Sequence, residues 1–150
     1  IERVYSVESD IRWFNKLNSK IKSDKLRYIL VDLKCRPNNW GNPGEDCSLE
    51  SKLKYSNSLC DLSQEEREKI DLILIDGRFR VACCLKSFSA TKDDCLIIFD
   101  DFLDRKHYHV VLDYYEIIGF TRDRRMVVLK KKNCEPPSMD IIKKYEMIYD

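Results

Sequence analysis

Asp71–Leu72–Ile73–Leu74–Ile75–Asp76–Gly77 and Cys95–Leu96–Ile97–Ile98–Phe99–Asp100–Asp101 are two short apolar runs, rich in Ile and Leu, that each end abruptly in carboxylates. A run of this length that is apolar on both alternating faces reads as a strand covered by helices on both sides, the habit of a parallel sheet. Between them lies Arg78–Ala90, where Val81, Cys84, Leu85 and Phe88 fall at helical spacing. Strand, helix and strand make a right-handed crossover unit. In such sheets ligands bind just beyond the carboxyl ends of the strands, so Asp76, Asp100 and Asp101 are expected to gather at a site.

The upstream sequence repeats the alternation. Arg3–Glu8 is a β-prone run ending in an acid, and Asp10 can cap a helix to about Ile21 with Ile11, Phe14, Leu17 and Ile21 on one stripe. Leu26–Leu33 reads as the next strand, with Asp32 near its carboxyl end. Pro37–Gly44, around Trp40, holds two of the four glycines and two of the four prolines and reads as a loop. For Trp40, packing against a core edge is preferred over a pocket wall. Cys47–Leu59 can form a short helix, and Ser63–Glu66 has capping-box spacing ahead of the Asp71 strand. Tyr108, Val111, Leu112, Tyr115 and Ile118 predict a helix to about Ile118. Arg125–Lys130 then predicts a final strand, paired near Ile117–Thr121 across the polar Arg122–Arg124 turn. Pro136–Pro137 ends the domain, predicted as residues 1–133, and 134–150 reads as a tail with an amphipathic helix over Met139–Tyr149.

Composition narrows the function classes. The chain has 150 residues, 43% of them hydrophobic, enough core for one domain without staples. Its formal net charge is +1, which argues against a general nucleic-acid or membrane role. The seven cysteines form an odd set with no C-x-x-C pair, read as reduced buried thiols of a cytoplasmic protein. No apolar run approaches the ~20 residues of a membrane span. Arg122, Arg124, Arg125 and Lys130–Lys132 form a basic cluster that a solvated turn explains. Oligomeric state is open, a homo-oligomer included.

Taken together, VYSVESD at 4–10, NNWGNP at 38–43, IDLILIDGRFRVACCL at 70–85 and LIIFDDFLDRKHYHVV at 96–111 resemble the class I S-adenosylmethionine-dependent methyltransferases, in a bacterial-type branch with DGRFR and DD strand ends. The resemblance implies a Rossmann-like α/β three-layer sandwich, its sheet mostly parallel with an antiparallel C-terminal strand. It also implies S-adenosylmethionine as cofactor, bound through Glu8 at the ribose, Asp32 near the adenine, and Asp76 and Gly77. The expected reaction is methyl transfer to oxygen or nitrogen of a small-molecule or sugar-like acceptor, with Asp76, Asp100 and His107 as catalytic candidates.

Two readings stand side by side for the acids. Asp76, Asp100 and Asp101 resemble the Mg²⁺ ligands of metal-dependent O-methyltransferases, and three clustered carboxylates do require neutralisation. Arg78, Arg80 or Arg105 can supply it instead. His107 and His109 flank Tyr108, where one can act as a base or both can serve the bland role of opening a helix.

The family's glycine-rich first strand has no counterpart before Val4. In the family that strand lies between the one ending at Glu8 and the one ending at Asp76, which here must pair directly or leave a gap. A chain that opens at Ile1, without an initiator Met, is expected to be part of a longer enzyme. The alternative is a catalytically inactive methyltransferase-fold scaffold.

Overall fold

Leu96–Phe99 lies inside a sheet and buries Ile97 and Phe99, whereas Leu72–Ile75 is an edge strand that buries Ile75 and leaves Leu72 and Leu74 exposed, so the predicted cover on both faces is not met there. The structure is a computed structural model that describes residues 1–149. It is a mixed α/β fold with β1 (Val4–Glu8), α1 (Ile11–Lys20), β2 (Leu26–Leu30), α2 (Leu49–Asn57), α3 (Gln64–Glu68), β3 (Leu72–Ile75), α4 (Arg80–Ala90), β4 (Leu96–Phe99), β5 (Tyr115–Phe120), β6 (Val127–Lys131) and α5 (Met139–Tyr145). A 3₁₀ segment, Lys106–Asp113, precedes β5.

The strands form two sheets. β1 pairs with β2 in parallel, and β3, β4, β6 and β5 lie in that order in the other sheet. β3 and β4 are parallel, whereas β6 runs antiparallel to both its neighbours, so the last strand alone is reversed in that sheet. β1 and β3 do not pair. Their free edges line a common cleft, and side chains tie the β1–β2 sheet to the helix that leads into β3: Glu66, of the Ser63 capping box on α3, accepts from the Tyr5 hydroxyl (3.1 Å) and from Arg27 (3.0 Å).

Local signals placed the helix starts. The Asp10 carboxylate accepts from the Arg12 amide, and Ser48, Ser63 and Ser138 cap α2, α3 and α5 in the same manner. Val81, Cys84 and Leu85 are buried on α4 and join Ile75, Ile97, Phe99, Phe102, Tyr108, Tyr115, Val127 and Leu129 in one core. Phe99 meets Phe102 and Tyr108 at ring-centroid distances of 5.1 and 5.0 Å. The C-terminal helix belongs to that core through Ile142 and Tyr145, and Glu146 pairs with the nearly buried Lys86 of α4.

Three further expectations are corrected. Tyr115–Phe120 is a strand, where the apolar spacing predicted a helix to about Ile118. Its burial alternates with period two, and pairing with β6 outweighs the helical spacing. β2 ends at Leu30, although the extended course continues: the Val31 and Leu33 amides donate to the carbonyls of Glu8 and Ser9. Trp40 is not packed: it is 89% exposed on the cleft rim, with positive φ at Asn38, Trp40 and Gly41. The cysteines are free thiols, with Cys47, Cys84 and Cys95 buried. No helix among the described residues is long and apolar enough to cross a membrane.

Candidate functional site

The carboxyl ends of β1, β3 and β4 open into the cleft between the sheets, so the acids that end these strands are set close to one another. Glu8, Asp76, Gly77, Asp100 and Asp101 all line it. Asp32 and His107 do not.

Glu8 turns one carboxylate oxygen back on its own chain. Oε1 accepts from the amides of Ser9 (2.7 Å) and Asp10 (2.9 Å), which leaves the acceptor capacity of Oε2 toward the cleft. Asp32 has a different fate. Val31 and Leu33 are buried, so the alternation of an extended chain turns Asp32 to the other side. There Lys34 takes both its oxygens, through its amide at 2.8 Å and its ammonium at 2.9 Å. The hydrogen bonds and charge of Lys34 hold the Asp32 carboxyl below its usual range.

The acids of β3 and β4 come together around Arg80, whose side chain is 3% exposed. Its guanidinium donates to the carbonyls of Gly77 (3.1 Å), Asp76 (3.3 Å) and Asp100 (2.8 Å). It also pairs with the carboxylates of Asp76 (3.3 Å), Asp101 (3.5 Å) and Asp100 (3.7 Å). Arg125 adds a contact of 2.9 Å to Asp100 and one of 3.4 Å to Asp101, and Arg105 reaches Asp101 at 3.3 Å.

The metal reading does not fit this donor set. Asp76, Asp100 and Asp101 do gather, but three guanidinium groups already neutralise them. Among the described residues, no group of three or more His, Cys, Asp or Glu side chains is arranged to hold an ion. A hard divalent cation requires carboxylate oxygens aimed at one point, whereas these are aimed at arginines.

The neighbouring carboxyls differ in proton affinity. Asp76 is half-exposed at the cleft; partial burial, then the adjacent Asp100, raises its pKa above the ordinary value. Asp100 is 1% exposed, and burial alone would push it up. Its hydrogen bonding with Asp76 and Arg125 outweighs burial, so its pKa falls instead. One oxygen of Asp100, Oδ1, is buried without a hydrogen-bond partner.

Gly77 is required by packing, since its φ is ordinary. A Cβ there would sit 2.0 Å from the hydroxyl of Tyr55, a buried ring whose oxygen accepts from the Arg78 amide at 3.4 Å. The Arg78 side chain lines the cleft and donates to Asn42 Oδ1 at 2.8 Å, linking the Trp40 loop to the end of β3. Burial, then the charge of Arg80, lowers the Arg78 pKa, and no carboxylate among the described residues pairs with it.

His107 lies on the exposed side of the 3₁₀ segment, its ring 4.5 Å from the buried Tyr108. His109 stacks on Phe102 at 5.2 Å and bonds its carbonyl at 3.2 Å. Tyr108 points inward between them, as its spacing predicts.

The sequence reading missed two residues at this site. The sequence places Arg125 in a solvated basic turn and offers Arg78 only as an ion-pair partner of the acids. The DGRFR run carries a signal for Arg78 and Arg80, because cations directly after a strand-end acid face the site. Arg125 has no local signal.

No protein-family model and no curated protein matches this chain. Among solved structures, a methyltransferase-like protein from Silicibacter pomeroyi DSS-3 superposes with a TM-score of 0.76 at 23% identity, covering 97% of this chain and 77% of that one. The chain therefore shares the fold of a methyltransferase-like protein.

Proposed function

We propose that this chain is a methyltransferase domain that uses S-adenosylmethionine and acts on oxygen or nitrogen of a small-molecule or sugar-like acceptor. The observation that carries the reading is the convergence of Glu8, Asp76, Gly77 and Arg78 on one cleft at the carboxyl ends of β1 and β3, the place where open α/β sheets bind ligands.

These residues fit the cofactor. Glu8 Oε2 is an ionised acceptor suited to a ribose hydroxyl. Asp76 places negative charge where a sulfonium or an ammonium group would be favoured. Arg78, a partly desolvated cation without a carboxylate partner among the described residues, suits the cofactor's carboxylate or an anionic group of the acceptor. The cofactor supplies an electrophilic methyl group; the chain's task is to hold the nucleophile in line with it. Asp76, half-exposed with a raised pKa, is the group placed to take the acceptor's proton. Asp100 and Arg80 position Asp76 from beneath. Asp32 and His107, both outside the cleft, take no part, and no metal ion is involved in this scheme.

Calorimetric titration of the full gene product with S-adenosylhomocysteine tests it. Saturable micromolar binding, weakened at least about tenfold by Glu8→Gln, supports the reading, since a hydrogen bond to a charged acceptor is worth about 1.5–3 kcal/mol. Absence of saturable binding, or binding indifferent to both Glu8→Gln and Arg78→Ala, overturns it.

A further inference from the structure

The loop that follows β2 holds one aromatic ring in water. Gly44 closes its base: the Gly44 amide donates to the Leu33 carbonyl (2.9 Å), and a Cβ there would meet Lys34 O at 2.1 Å. Its tip is tied to both strand ends of the site. The Cys35 thiol lies within hydrogen-bonding distance of the carbonyls of Gly41 (3.3 Å) and Ser9 (3.5 Å), which fastens the tip to the end of β1. Asn42 Oδ1 accepts from Arg78 (2.8 Å), which fastens it to the end of β3, and the Asn42 backbone amide closes a turn onto Asn39 O (2.9 Å). Between these ties stands Trp40, 89% exposed on the cleft rim, with φ at 50°. Glycine and asparagine visit this left-handed region readily, whereas a bulky side chain does so at a steric cost. So exposed a ring adds little packing to the fold. A strained, tethered residue of this kind points to a ligand that the ring meets.

The polar groups beside the ring describe that ligand. Asn38, Asn39, Asn42 and Arg78 line the cleft together with Trp40. The Asn38 side-chain amide makes no hydrogen bond among the described residues, and the Arg78 guanidinium has no acceptor there except Asn42. A flat aromatic ligand buries both faces in an apolar slot, but this loop offers one ring face surrounded by amides and a guanidinium. A sugar ring matches that set. Its C–H bonds form an apolar face that lies on an indole, and its hydroxyls exchange hydrogen bonds with amides at the rim. An anionic group on the sugar gives the guanidinium the partner it lacks.

We propose that Trp40, Asn38 and Arg78 form a subsite for an anionic sugar, bearing a carboxylate or a phosphate, that stacks on Trp40 and pairs with Arg78. As an acceptor site it rests on the methyl-transfer reading given above. The cofactor does not account for the same residues: its ring system and its carboxylate lie at opposite ends of the molecule, whereas Trp40 and Arg78 are joined through one turn, Asn39–Asn42. Asp76 precedes Arg78 by two residues at the same strand end. An anion held by Arg78 therefore brings the sugar's hydroxyls toward the group placed to take their proton.

Fluorine NMR of the full gene product carrying fluorotryptophan tests it, the Trp40 resonance being the one that Trp40→Phe removes. Glucuronate and galacturonate are the carboxylate probes and glucose 6-phosphate the phosphate probe; glucose is the uncharged control and benzoate the flat aromatic anion. At least one anionic sugar is expected to shift the Trp40 resonance saturably and to bind at least about tenfold more tightly than glucose, the scale of one charge-assisted contact. The tighter of the carboxylate and phosphate probes identifies the anion. Arg78→Gln, which can still donate to Asn42, is expected to abolish the preference over glucose. By calorimetry, Trp40→Ala is expected to bind the same sugar at least about fivefold more weakly, with much of the loss restored in Trp40→Phe. No saturable shift with any of the three anionic sugars, tighter binding of benzoate, or a preference that survives Arg78→Gln each overturns it. S-adenosylhomocysteine titrated in parallel keeps the two readings apart. Sugar binding without it upholds the subsite and overturns methyl transfer, and the reverse overturns the subsite alone.

Discussion

The guanidinium of Arg80 donates to the main-chain oxygen of Asp100 at 2.8 Å while also holding the carbonyls of Asp76 and Gly77. One buried side chain thus joins the carboxyl ends of β3 and β4 and carries the charge that lets Asp76, Asp100 and Asp101 lie together.

Arg80→Ala is expected to destabilise the fold by about 3–5 kcal/mol, because it leaves Asp100 charged and buried with one fewer cation. Arg80→Lys recovers little, as one ammonium cannot reach three carbonyls in the arginine's fork geometry. Urea denaturation of both variants checks this; near-equal stability of wild type and Arg80→Ala would sink it.

Asp100 and Asp76 predict opposite pH dependences. The folded-state pKa of Asp100 is depressed, so it contributes stability above its unfolded value of about 3.9, lost as pH falls through the folded value. Asp100→Asn should therefore flatten the acid limb of the stability profile. Asp76 is raised, so its contribution is present at low pH and lost as pH rises through its folded value. Asp76→Asn should accordingly melt no lower than wild type near pH 7 and lose that relative advantage toward about pH 3. Melting temperatures across this range decide both.

Gly77→Ala is expected to cost about 1–3 kcal/mol by overpacking against Tyr55. Because the Tyr55 hydroxyl is the atom nearest the added carbon, at 2.0 Å, Tyr55→Phe should recover part of the loss. A double-mutant cycle with coupling below about 0.5 kcal/mol would show that the two do not interact.

Thiol reactivity should separate the cysteines. Burial pushes the Cys83 thiol up to about 12 and the Cys84 thiol well above its ordinary value, whereas Cys134 is exposed. Since the thiolate is the nucleophile, iodoacetamide at about pH 8 is expected to label Cys134 first, and Cys83 and Cys84 only on unfolding. Mass spectrometry of the native protein reads the order directly.

Glu146→Ala tests the docking of α5. Lys86 is 8% exposed and also donates to Ser56 (2.9 Å) and Asn57 (2.5 Å). Removing its one carboxylate partner among the described residues should cost about 3 kcal/mol, measured as a shift in the urea midpoint without loss of the remaining helices by circular dichroism.

What the sequence alone determined was local. The caps at Asp10 and Ser63 act within two or three residues, and the apolar runs ending in Asp76 and Asp100 need only their own side chains to read as strands. Tertiary structure decided the rest, because it depends on partners distant in sequence. Asp32 and Glu8 are both strand-end acids, yet burial of Val31 and Leu33 turns Asp32 onto Lys34, while Glu8 keeps an oxygen toward the cleft. Tyr115–Phe120 satisfies a helical spacing and a strand alternation equally, and only the neighbouring β6 chooses between them. Arg125 reaches Asp100 because β6 returns antiparallel beside β4 with Val127 opposite Phe99. That register places a turn cation over a buried acid 25 residues away, and no local pattern encodes it.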